Sequence, residues 1–162
     1  AMKYKKVLFT KVSPEVSKAH RRFFDRHVRK AFVQYLAYTH WFDGVLTESE
    51  IANAKQGRLP EDLDVHHVFP LSGTDNEDVN LFSNLTVLHK STHTLINRNV
   101  FFPQLRDVSS MKEGETRGIY IPVFKPVDRG RIAAIRAGKM RKPWVAVKTP
   151  PRDMPVWKKG GR

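Results

Sequence analysis

The chain contains no cysteine. Disulfide scaffolds and cysteine-ligated zinc knuckles are therefore excluded, and any metal ion has to be held by histidine, carboxylate or amide groups. It has no run of about 18 apolar residues, the length a membrane-crossing helix needs, and the basic stretch Ala1–Lys6 has no apolar signal-type segment behind it. Ala1 ahead of Met2 resembles a cloning remnant. Acidic residues are scarce: 16 Asp plus Glu stand against 29 Lys plus Arg, for a net charge of +13. That balance favours a polyanionic partner, nucleic acid first, over a cationic one. A ribosomal-type basic protein, or a surface whose charge only aids solubility, is the alternative. What remains is ample for a core, because 40% hydrophobic residues with nine glycines approaches the usual content of a folded domain. At 162 residues one domain is expected, with an appended tail.

The pattern along the chain predicts an α+β fold. Residues 3–12 suit a short edge strand. Ser13 reads as an N-cap with Pro14 at the first helical position and Glu15 in the first turn. Val16, Ala19, Phe23, Phe24, Val28, Ala31, Phe32, Tyr35 and Leu36 then recur at steps of three and four, predicting a helix over residues 14–41 with one apolar face. Thr47-Glu48-Ser49-Glu50 is a capping-box pattern opening a second helix that stops at Gly57. Strands are expected over 63–69 and 84–88, a helix from Lys90 to Arg98, a loop over 103–118, and an edge strand over 118–124 that contains Pro122. From Lys125 onward, twelve basic residues face only Asp128 and Asp153. The reading therefore places a domain at 1–125 and a basic, proline-interrupted extension at 126–162, helical from Asp128 to Gly138. Trp144 and Trp157 in that extension are candidates for stacking on bases, with packing the simpler role.

Five polar residues concentrate the chemistry: His66, His67, Asn84, His93 and Asn97. Neutral imidazoles bind transition metals and accept protons near pH 7. Cleaving a phosphodiester requires a positioned water, a base to take its proton, and positive charge on the leaving oxygen. His67, within the run His67-Val68-Phe69-Pro70, is the expected base; His66, His93 and Asn97 are the expected metal ligands. His93 and Asn97 are four apart, so on a helix they share a face. Asn84 offers donors and acceptors at once and can pin the intervening loop through backbone groups, orienting His67. Adjacent strand residues face opposite sides, so His66 and His67 reach one site only if the strand bends or bulges. Asp62 or Asp64 is an alternative ligand. His20, His27 and His89 are expected to be ordinary.

His66-His67-Val68-Phe69-Pro70, Asn84-Leu85-Thr86-Val87-Leu88, His93 and Asn97 together resemble the HNH, or ββα-metal (His-Me finger), nuclease motif. It spans about residues 62–99 and implies a two-stranded hairpin over a helix, gripping one divalent ion (Mg, Mn, Ni or Zn). By that resemblance His66 and His93 are metal ligands, His67 the general base, Asn84 the loop-orienting residue and Asn97 the last ligand. Two departures stand out: many members have histidine where Asn97 stands, and many carry zinc-binding cysteines near His89 and Thr92. The segments His93–Arg98, Glu113–Arg117 and Ile119–Pro122 are similar to C-terminal HNH toxin domains of bacterial polymorphic toxins, including Rhs-type effectors of type VI secretion. The similarity implies a DNase of low sequence specificity, delivered into the cytoplasm of rival bacteria and neutralised at home by an acidic immunity protein. The Phe69-Pro70 and Asn84-Leu85-Thr86 phrases also resemble the HNH half of modification-dependent restriction enzymes, so an HNH nuclease of cytoplasmic defence or of phage origin is the alternative. The expected substrate is double-stranded DNA, with Arg98, Arg131, Arg136, Lys139, Arg141 and Lys142 neutralising phosphates. A non-enzymatic basic nucleic-acid-binding module is the competing class.

Overall fold

A computed structural model describes residues 2–139; the expectations for Arg141, Lys142, Trp144 and Trp157 lie outside the described residues. The fold is α+β, with helices packed around two separate two-stranded antiparallel sheets. Strand β1 (Lys3–Thr10) pairs with β4 (Thr116–Val123), and β2 (Leu63–His67) pairs with β3 (Leu85–His89). Pro122 sits opposite Tyr4 in β4, which among the described residues has β1 as its one strand partner, so there its missing N–H faces no second strand.

The helix expected over 14–41 forms as α1 (Pro14–Phe23), a π-turn (Phe24–Val28) and α2 (Arg29–Tyr38). Ser13 caps it by accepting from Val16 N–H, and the chain leaves it through His40 and Gly44 at positive φ. Helix α3 (Glu48–Lys55) opens on the capping box read from Thr47 and Glu50: Thr47 Oγ1 accepts from Glu50 N–H while Glu50 Oε1 accepts from Thr47 N–H. Both orphan donors are thereby satisfied.

The β2–β3 hairpin lies between two apolar clusters and serves both through its period-2 alternation. Leu63, Leu85 and Val87 join Phe24, Phe32 and Leu36, whereas Leu88 joins Phe9, Ile96 and Ile119. Helix α4 (Lys90–Ile96) follows β3 directly and packs on the hairpin, so residues 63–96 form a strand, loop, strand, helix unit. The strands are β2 to 67 rather than 69 and β3 from 85 to 89 rather than 84 to 88.

Two expectations are corrected. The predicted loop 103–118 begins as helix: α4 runs on through a π-turn (Asn97–Phe101) into α5 (Phe102–Leu105), and β4 already starts at Thr116. Pro103 does not stop the helix, because it falls at the start of α5, and the π-turn before it has already shifted the ladder, with Phe102 N–H bonding to Asn97 O. The boundary at 125/126 does not separate two bodies within the described residues. Val87 N–H donates to Pro126 O (2.9 Å), Asp128 N–H donates to Val87 O (3.0 Å), and Val127 and Ile132 are fully buried in the first cluster. Helix α6 (Arg129–Arg136) is thus part of the same core.

Candidate active site

Strand alternation sends His66 and His67 to opposite sides of β2. His67, paired with Leu85, lies in the first cluster with its ring edge-on to Phe24 at 4.6 Å. His66 turns to the second cluster, 5.0 Å from the ring of His93 on α4 and 5.9 Å from Phe101. The two histidines nevertheless line one cavity of about 610 Å³, together with His93 and Asn97. β2 ends at His67, and the cavity's lining takes in residues from both faces of that strand end, Val65 and His67 from one and His66 from the other.

Each imidazole is held by a different device. His67 Nε2 lies 2.8 Å from Asn80 Oδ1, and Asn80 Nδ2 donates to His20 O at 3.1 Å. A carbonyl only accepts, so the Asn80 amide must present its NH₂ to His20 and its oxygen to His67. That makes His67 Nε2 the protonated nitrogen and leaves the lone pair on Nδ1. Burial depresses the His67 pKa to about 4, opposed by the Asn80 hydrogen bond and assisted by nearby Arg21, so the ring is neutral at pH 7. His93 Nδ1 lies 3.1 Å from Asp64 Oδ2, a carboxylate–imidazole pair that fixes the ring and leaves Nε2 for another partner. Among the described residues, His66 Nε2 is buried with no hydrogen-bond partner. Burial, with His93 and His67 adding to it, holds His66 well below its ordinary pKa. A buried polar atom without a partner costs about 1–3 kcal/mol, so His66 Nε2 marks a position fitted to receive a ligand.

Asn84 sits in a 3₁₀ turn just before β3. Its Oδ1 accepts from Phe69 N–H (2.8 Å), and its Nδ2 donates to Phe69 O (3.0 Å) and Val79 O (2.8 Å). Val68 N–H donates to Asn84 O (2.8 Å). One residue thus ties the segment after His67 to the segment after Asn80. At the loop's other flank, Gly73 is required: a Cβ there would come within 2.4 Å of the Phe9 ring, itself part of the cavity wall.

The chain matches no protein-family model, no curated protein and no solved structure. Its site therefore has to be judged on its own geometry. Among the described residues no group of three His, Asp, Glu or Cys side chains is arranged to hold a metal ion. The cavity offers two imidazoles and the Asn97 carboxamide, a donor set that water and substrate oxygens would have to complete.

Both alternative ligands read from the sequence have other partners. Asp62 accepts from Arg136 at 2.9 Å through each of its oxygens, and Asp64 holds His93. Arg136, expected to meet phosphates, is instead committed to Asp62 and to Glu50, whose two oxygens lie 2.7 and 3.0 Å from its guanidinium. Arg131 pairs with Asp128 at 2.8 Å, while Arg98 and Lys139 are exposed. His89 caps α4, its Nδ1 accepting from Ser91 N–H, and His20 meets Thr74 O. His27 is exposed beside Phe23.

Sequence reasoning missed Asn80, Phe101 and Phe102. Phe101 had a readable signal, since it continues the four-residue step His93, Asn97, Phe101 once the helix is extended past Arg98. Asn80 had none, being one amide in a turn-rich stretch.

Proposed function

We propose that this protein is a metal-dependent endonuclease that hydrolyses phosphodiester bonds in DNA through an HNH-type ββα-metal site. The observation that carries the reading is the partnerless buried Nε2 of His66 beside His93, with the neutral His67 lining the same cavity. His66 and His93 would hold one divalent cation, with Asn97 as the third donor; burial keeps the His66 ring neutral, and Asp64 orients the His93 ring. A cation bound there supplies positive charge to the scissile phosphate and its leaving oxygen. His67 Nδ1 takes a proton from water as the water oxygen attacks phosphorus and the P–O ester bond breaks. Asn80 keeps the acceptor nitrogen of His67 unprotonated, and Asn84 fixes the backbone that follows it. Arg21, exposed on α1 and lining the cavity, is placed to meet a phosphate.

The test is nicking of supercoiled plasmid with Mg²⁺, Mn²⁺, Ni²⁺ or Zn²⁺. Wild type should nick with at least one of these ions, and His67→Ala should be slower by roughly 10²–10⁴-fold, the usual worth of a general base. Equal behaviour of the two proteins with every ion would reject the enzyme reading in favour of a binding module.

A further inference from the structure

The cavity is larger and less polar than a phosphate and a cation require. At about 610 Å³ it falls in the range of organic-ligand pockets. Its wall includes a broad apolar part made by Phe9, Leu71, Phe101, Phe102, Leu105 and Val108. A sugar–phosphate backbone offers nothing to such a surface, whereas the faces of a nucleobase do.

Phe102 departs from the pattern of its neighbours. Phe9 and Phe101 are 1% and 5% exposed, as core aromatics should be, but Phe102 is 63% exposed while still lining the cavity. An aromatic ring left in water on the wall of a cavity that imidazoles also line, on a chain of net charge +13, is the arrangement of a stacking platform within a polyanion site. The polar groups at the same cavity complete it. Arg21 lies over the Phe24 ring at 5.6 Å, and Phe24 in turn packs edge-on against His67, so a cation is stationed next to the candidate base. Ser72 and Asn97 add groups able to meet the edge of a base.

We infer that this cavity receives an unpaired nucleotide, its base against Phe102 and the neighbouring apolar wall and its phosphate toward Arg21 and the histidines. The inference rests on the nuclease reading for its orientation and narrows its substrate to DNA with an unpaired base at or next to the scissile bond. A base stacked within a duplex cannot enter; it has first to be extruded, and the cost is least where it is already unpaired.

The experiment uses the full chain and two fluorescein-labelled duplexes, one fully matched and one carrying a single unpaired adenine. Affinity is measured by anisotropy in EDTA, and strand cleavage with Mn²⁺. The bulged duplex should bind about tenfold tighter, the ratio that roughly 1.4 kcal/mol of base–aromatic stacking gives, and be cut next to the bulge. Phe102→Tyr should keep that preference, and Phe102→Leu should bring the two affinities within about twofold. Phe102 is exposed, so neither change threatens folding. Equal affinities and unselective cleavage by an active enzyme would overturn the cavity assignment and leave the nuclease reading standing. A bulge preference that depends on Phe102, without cleavage under any metal, would support the cavity assignment and count against the nuclease reading.

Discussion

At the scale of single residues, two carboxamides set the site. Asn84 satisfies three backbone groups at once, a task that needs a donor and an acceptor on one short side chain. Replacing it by alanine removes all three bonds and leaves partly buried backbone groups unpaired. At about 1 kcal/mol per bond, Asn84→Ala should lower stability by roughly 2–3 kcal/mol in urea unfolding, and Asn84→Asp, which keeps the acceptor but loses the donor, should lose nearly as much. An unchanged midpoint for either variant would show that the loop is held by other means. This role was legible from the residue type and from its place just before a strand. Asn80, which fixes the tautomer of His67, was not legible, because its partners are 13 and 60 residues away and no local pattern marks them.

At the scale of elements, the site lies where two helices depart from α geometry. The π-turn at Phe24–Val28 begins with the ring packed on His67, and the π-turn at Asn97–Phe101 begins and ends with residues that line the cavity. Such turns recur at functional sites because the extra residue re-aims side chains. Apolar periodicity revealed the first of these helices but not its insertion, since one added residue leaves a stripe of steps three and four nearly intact; the second was read only as far as Arg98. The elements themselves are joined by Arg136, which ties α6 to Glu50 on α3 and to Asp62 before β2. The hydrogen bond from Arg136, above all, holds the Glu50 carboxyl down at about 2, below its usual 4.5. The folded pKa is depressed, so the stabilisation is present above pH 4.5 and is lost as pH falls toward 2. Arg136→Met should therefore cost about 1–2 kcal/mol at pH 7, with the gap to wild type closing between pH 4.5 and 2. A gap that stays constant through that window in urea titrations would show that the ion pairs do not connect α6 to the core energetically.

At the scale of the whole molecule, charge and core divide the chain differently from composition. The shift at Lys125 is real in sequence, yet Val127 and Ile132 are buried with the N-terminal helices, so a cut after Pro126 would remove core as well as charge. Their packing was not legible, because Val87 and Val127 are joined across forty residues. A cut after Lys139 is the cleaner test of electrostatics, since residues 140–162 hold seven basic side chains and one acidic one. That truncation should weaken DNA binding at low salt. It should also flatten the slope of log affinity against log salt by about 0.9 for each phosphate that is no longer neutralised. Identical affinity and slope would assign that charge to something other than DNA.

Metal-dependent cleavage here requires two imidazoles to converge on one cation while a third stays free. Calorimetric titration of Zn²⁺ into the wild-type chain and into His66→Ala, His93→Ala and His67→Ala tests this directly. One ion per chain should bind to wild type and to His67→Ala, with affinity reduced by tenfold or more in each of the other two. Undiminished binding to His66→Ala and His93→Ala, or loss of binding in His67→Ala alone, would contradict it.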